Sequence, residues 1–227
     1  SVYRIDLDGS PQPEGWELTE LYRGTQEIQA DPVVSYGPNG AIYVYFGTGA
    51  YIEDPDMTSV GQNSFFCVFD VHDGATASMG NMADQTSSIG DVSGYKGWYI
   101  NLWNDDAERV TKQAVVVAKT VIFTAFAPSD DPCVAGGNSW LYQLKYEDGG
   151  IPDVDYMEDE EDRSVSIGEG IASHPVIDLN AANAIVQSTD ASINVDRIAA
   201  IIEPLRVRSW QESFDHVQQP ANVTKRN

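Results

Sequence analysis

The chain has 227 residues, 42% of them hydrophobic and 10% aromatic, enough to build one sizeable domain core. Against 13 Lys and Arg stand 35 Asp and Glu, a net charge of −22. That field repels phosphate backbones and anionic lipid, which argues against nucleic-acid or membrane-surface binding. No apolar run approaches the ~20 residues of a membrane-spanning helix.

In chain order, Val2-Tyr3-Arg4-Ile5-Asp6-Leu7 opens as a strand running into an Asp8-Gly9 turn, and Trp16 to Tyr22 reads as its partner. A start inside a strand is expected of a segment of a longer protein, and residues 1–22 are expected to be the outer strands of a sheet whose inner strands lie elsewhere. Residues 31–103 hold a first full unit: Asp31-Pro32-Val33-Val34, a turn from Tyr36 to Gly40, Ala41 to Gly49, a polar loop, then Ser64 to Gly74. Residues 75–95 are polar with neither helical nor strand period and read as a long loop. Lys96 to Trp103, with alternating aromatics, closes the unit.

Residues 113–150 repeat the pattern with Gln113 to Val117, Thr120 to Phe126 and Ser139 to Gly150. Residues 147–162 contain nine acids and no base and read as a solvated loop. Ser164 to Ile171 leads into a weaker third copy at 173–210, with Ser173 to Leu179, Ala184 to Asp190, a strand or short helix in 193–202, and Arg206 to Trp210 as a last strand. Each copy is rich in Val, Ile, Tyr and Phe and punctuated by Gly, Asp or Pro. Such a unit cannot bury both of its faces alone, and repeats of that kind stack as blades around an axis. The expected fold is all-β: a partial β-propeller over 1–227 of about three antiparallel blades, its ring completed by sequence outside the chain or by a partner chain. Uncovered sheet edges are aggregation-prone, so something must close them.

Chemistry-bearing motifs are sparse. Asp6-Leu7-Asp8-Gly9-Ser10 has the look of an EF-hand loop, but Pro11 stands where that loop needs Gly, so it reads as a turn. Asp153, Asp155 and Asp159 are the weak candidates for an oxygen-ligated cation, without turn residues to converge them. His72, His174 and His216 have no zinc-ligand spacing, and no nucleophile elbow or phosphate loop occurs. No catalytic or cofactor-binding residue is assigned, and no enzyme activity is expected. Cys67 and Cys133 leave two readings open, a disulfide between them or a buried free thiol at Cys67. Trp16, Trp98, Trp103, Trp140 and Trp210 fall near strand ends, where aromatics fill the space between blades; stacking on a sugar is the sharper alternative. Asn222-Val223-Thr224 has the form of a glycosylation acceptor.

Three strings taken together are more specific than the repeat: Tyr45-Phe46-Gly47-Thr48-Gly49-Ala50-Tyr51-Ile52, Asn63 to Asp70, and Gly97-Trp98-Tyr99-Ile100-Asn101-Leu102. With Glu108-Arg109-Val110, Val121 to Thr124, Pro128 to Gly137, Trp140-Leu141-Tyr142 and Ser209 to Glu212, they follow the order of the C-terminal propeller of the PilY1/PilC family, which the chain resembles. These are tip-associated adhesins of type IV pili. The resemblance implies a non-enzymatic segment of a cell-surface adhesin, exported through periplasm and outer membrane to the pilus tip. It would support pilus biogenesis and attachment to host or abiotic surfaces, partnered by the remainder of the adhesin and by minor pilins. The loops 50–63, 75–95 and 128–138 would project and carry contacts. Family members usually carry a calcium loop earlier in the propeller. Calcium is implied by the family and by no residue of this chain. The alternatives are a fragment of a quinoprotein-like propeller dehydrogenase, or a split propeller subunit that acts only within a larger complex.

Overall fold

The computed structural model describes residues 1–129, 136–153 and 163–198. Within them are fourteen strands in four sheets and only single-turn 3-10 helices. The first sheet pairs β1 (Val2–Asp6) with β2 (Glu17–Tyr22). The second contains β3 (Val33–Tyr36), β4 (Ile42–Gly47), β5 (Ser64–Asp70), β6 (Ala83–Asp84) and β7 (Gly97–Asn101), in the order β3-β4-β5-β7-β6. The third contains β8 (Val115–Val117), β9 (Thr120–Pro128), β10 (Gly137–Lys145) and β11 (Ser164–Glu169), as β11-β10-β9-β8. The fourth runs β12 (Val176–Asp178), β13 (Asn183–Gln187), β14 (Ile193–Arg197). Every pairing between named strands is antiparallel except β6 with β7.

Alternation along the strands explains the stacking. In β4, Tyr43 and Tyr45 point to one face while Val44 and Phe46 point to the other, and in β5 Phe65 and Cys67 oppose Phe66 and Val68 in the same way. A strand buried on both faces reads as a near-continuous apolar run, and so these segments do. One face of the second sheet meets the first sheet: Val44, Phe46, Phe66 and Val68 pack with Val2, Leu21 and Tyr22. The other meets the third sheet: Tyr45, Phe65, Trp98 and Ile100 pack with Val121, Phe123, Tyr142 and Leu144. The far face of the third sheet, Ile122, Leu141 and Ile167, packs on Ala184 and Val186 of the fourth. Four sheets therefore stack face to face through three apolar seams.

The middle seam is aromatic. Phe65 and Phe123 lie with ring centroids 3.9 Å apart and planes 2° from parallel, and Phe123 continues onto Tyr142 at 4.8 Å. The Tyr45 hydroxyl crosses the seam to donate to the Tyr146 carbonyl at 2.8 Å. Trp98 is fully buried here, edge-on to Tyr45, and its Nε1 has no hydrogen-bond partner among the described residues. Trp98 fills the space between two sheets, as expected of the strand-end tryptophans, whereas Trp16 and Trp103 are partly exposed. Trp210 lies outside the described residues.

Two readings of chain segments are corrected. Residues 75–95 are not a projecting loop. Ala77 bonds through its backbone to Leu21 and Arg23, Met82 and Ala83 are buried, and β6 lays a parallel edge strand on β7. The buried Gln85 side chain then bonds both backbone groups of Gly90 at 2.9 and 2.7 Å, fastening the rest of the segment down. Ser164 to Ile171 does not open the third repeat either: β11 is the fourth strand of the third sheet, registered Leu141↔Val165 and Tyr142↔Ser164. The ambiguous segment after Ser192 forms a strand, β14, through Arg197. The expected last strand at Arg206 to Trp210 lies outside the described residues.

Candidate functional site

The strings Gly47-Thr48-Gly49 and Glu108-Arg109-Val110, sixty residues apart, meet where the loop after β4 crosses the link between the second and third sheets. Thr48, fully buried, accepts at Oγ1 from Ser64 N–H (2.8 Å), and its carbonyl accepts from Val110 N–H (2.9 Å). A side chain at Gly47 would collide with Val110, its Cβ falling 2.3 Å from that residue's Cβ. Gly49 combines a φ of +105° with the same closeness to Arg109 Cβ, so only glycine fits there. Arg109 itself pairs through its backbone with Phe126 of β9, both bonds at 2.9 Å.

From that backbone position the Arg109 side chain, 2% exposed, turns into the 50–61 loop. Its guanidinium donates to the carbonyls of Ala50 (2.7 Å), Asp56 (2.8 Å), Ser59 (2.9 Å) and its own neighbour Ala107 (3.0 Å). Tyr51 lies beneath it and edge-on to Phe126. Burial pulls the Arg109 pKa down, partly offset by the Asp56 charge, and the carbonyl cage holds the cation in place. Asp56 closes the loop from within, its carboxylate accepting from Ile52 N–H (2.7 Å) and Glu53 N–H (3.0 Å); those backbone bonds hold it below the usual carboxylate range. Gly61 N–H bonds Asp106 O, and Gln62 Nε2 bonds Leu102 O. The loop has no strand, yet its ends and middle are fixed.

Next to Arg109, Glu108 turns the opposite way and is 1% exposed. It accepts from Tyr142 O–H (2.8 Å), Asn104 N–H (3.0 Å) and Asn104 Nδ2 (3.4 Å), with no cation paired to it among the described residues. Burial raises its pKa against those bonds, and raises the Tyr142 phenol as well. A carboxyl whose folded pKa is raised contributes stability that is present below its unfolded pKa and lost as pH rises through the folded value. Glu108→Gln is therefore expected to melt progressively closer to, or above, the wild-type chain as pH rises from about 4 to 8. Thermal melts of both across that range check it, and a wild-type-minus-variant difference that stays flat contradicts it.

A second buried cation, Arg163, ties the outer edges of the two sheets. It donates to Gln85 O (2.7 Å) and Gly149 O (2.9 Å), also bonds Thr86 O, and stacks over Trp103 at 4.8 Å. Trp103 thus has one face committed to a cation, which counts against its serving as a sugar platform.

Asp153 is held by an ion pair with Lys145 at 2.9 Å, which also lowers its pKa. Asp155 and Asp159 lie outside the described residues, and no group of three metal-ligating side chains gathers among the described ones. Cys67 is a free thiol, fully buried between Tyr45 and Trp98, its pKa pushed well up by desolvation; Cys133 lies outside the described residues. Asp8 and Gly9 form a turn with positive φ closed by Ser10 N–H to Leu7 O. His72 sits at the end of β5 with Nδ1 3.8 Å from Asp70, whose carboxylate is gripped by Arg4 at 2.5 Å. His216 and Asn222 to Thr224 lie outside the described residues. The arginine cages and the Glu108 network were not foreseen from sequence. The one available signal was that Arg109 is the sole base between Lys96 and Lys112 in an acidic stretch.

Largely antiparallel sheets stacked face to face in chain order, with no closed barrel, define a β-propeller-type fold. Among solved structures the chain is similar to the PilY1 C-terminal domain of Pseudomonas aeruginosa, with a TM-score of 0.58 and 17% sequence identity over 84% of this chain. The chain spans half the length of that domain. No family model and no curated protein sequence matches it. Among the described residues no helix is long and apolar enough to cross a membrane.

Proposed function

We propose that this chain is a propeller segment of a type IV pilus-associated surface protein, acting as a rigid, non-enzymatic platform that presents loops for attachment and for pilus assembly. The observation that carries the reading is the structural likeness to the PilY1 C-terminal domain over 84% of the chain. It is supported by the two motif strings converging on one built joint, at Thr48 and Val110. The joint has the physical character of a scaffold: its buried polar groups are spent on backbone carbonyls and on each other, fixing loops and seams.

Its partners in this reading include further sheets, supplied by the remainder of a longer adhesin or by a complementary chain, together with minor pilins and a host or abiotic surface. The end faces of the stack favour the first of these. On the first sheet Tyr3, Ile5 and Leu18 are 53%, 55% and 64% exposed, with Ile5 directly opposite Leu18. On the fourth, Val176, Ile193 and Val195 are 53%, 65% and 56% exposed, with Val176 and Val195 both registered on Ile185. These faces continue the alternation that packs the three internal seams, so sheets of the same kind fit them. Calcium enters the reading only by resemblance. The test is whether the full protein co-purifies with type IV pili sheared from its native bacterium. Enrichment over a strain lacking the major pilin supports the proposal, and equal recovery from both strains refutes it.

A further inference from the structure

We propose that the apolar tip of the 50–61 loop and the acidic rim around it form a docking surface for a basic, apolar peptide segment of a partner protein. The inference goes beyond the pilus reading, stands on the loop alone, and survives if that reading fails.

The loop is organised around groups that contribute little to the core. Ile52, Met57 and Val60 are 74%, 45% and 76% exposed on a stretch of a dozen residues, while the buried cation of Arg109 and the carboxylate of Asp56 fix the backbone that carries them. Such a loop needs no ordering on association, which removes one of the main costs of binding a peptide. Two clefts flank the tip. One, about 200 Å³, is lined by Met57, Thr58, Ser59, Val60, Ala107 and Pro128, a mostly apolar wall that admits an apolar side chain. The other, about 150 Å³, has Glu27, Asp56 and Asn63 in its wall together with the caged Arg109, so it is polar and carries charge of both signs.

Charge selects the partner. No Lys or Arg occurs between Arg23 and Lys96, and the exposed charges of the loop and its neighbours are Glu27, Glu53, Asp54, Asp105 and Asp106. Among the described residues the only base at the tip is Arg109, which is buried in its carbonyl cage. An anionic lipid surface is repelled by that rim, and a second copy of a chain of net charge −22 is repelled as a whole. A cationic segment that alternates basic and apolar side chains meets the acidic rim and the apolar tip together.

Fluorescence anisotropy with a short labelled peptide alternating Lys and Leu tests this, against a Lys–Ser peptide of equal charge. The Lys–Leu peptide is expected to bind the wild-type chain more tightly than the Lys–Ser peptide. Ile52→Ser/Val60→Ser is expected to weaken Lys–Leu binding about tenfold. Glu53→Gln/Asp54→Asn is expected to weaken it and to flatten its salt dependence, while Glu14→Gln/Glu17→Gln, exposed acids of the first sheet, leaves it unchanged. All these side chains are exposed, so coincident thermal melts establish that each variant folds. The proposal is overturned if neither peptide binds, if both bind equally, if the Ile52/Val60 variant binds as the wild type does, or if the Glu14/Glu17 variant weakens binding as much as the Glu53/Asp54 variant.

Discussion

Phe123→Ala is expected to destabilise the chain by about 3–5 kcal/mol. Phe123 is fully buried in the central strand of the third sheet, stacked between Phe65 of the second sheet and Tyr142 of its own. Truncation removes the ring that joins two sheets and leaves a cavity bounded by stiff β-backbone on both sides, which cannot collapse to fill it. Phe123→Leu keeps much of the volume and loses only the ring stacking, so its cost should be less than half as large. Urea denaturation of the two variants measures both. A loss below ~0.5 kcal/mol for Phe123→Ala, the range of ordinary surface substitutions, would mean that the seam between the second and third sheets carries little of the stability.

Arg109→Leu is the second large effect, expected at about 2–4 kcal/mol together with a loosened 50–61 loop. The substitution strips charge-assisted hydrogen bonds from the carbonyls of Ala50, Asp56, Ser59 and Ala107. Some of those carbonyls regain water, which keeps the cost below the sum of four bonds. Arg109→Lys should recover only part of the loss, because one ammonium cannot reach along both sides of the loop as the planar guanidinium does. Thermolysin, which cleaves beside apolar residues, reads the loop directly: the variant should be cut near Ile52, Met57 or Val60 under conditions where the wild-type loop resists. Equal cleavage of the two would show that the cage does not hold the loop.

What sequence could reveal was set by burial on two faces. The runs Tyr43-Val44-Tyr45-Phe46 and Phe65-Phe66-Cys67-Val68 are legible as strands because both of their faces are in seams, and their recurrence at Val121-Ile122-Phe123 announces a stack. β6 was hidden because it is two residues long and parallel, and its neighbourhood is held by the Gln85 side chain, which leaves no periodicity to read. The membership of β11 in the third sheet is not legible because the acidic stretch 147–162 separates it from β10, and a long insertion within a sheet looks like a boundary between sheets. The site was less legible than the fold. Its centre is a single arginine whose partners are backbone carbonyls more than fifty residues away in sequence, and carbonyls have no signature in a sequence.

The functional account rests on association with type IV pili, and immunogold electron microscopy of the native bacterium with antibodies raised against this chain tests that most directly. The account predicts gold on pili, concentrated at their free ends, and its loss in a strain lacking the encoding gene. Gold distributed over the cell with none on pili would contradict it.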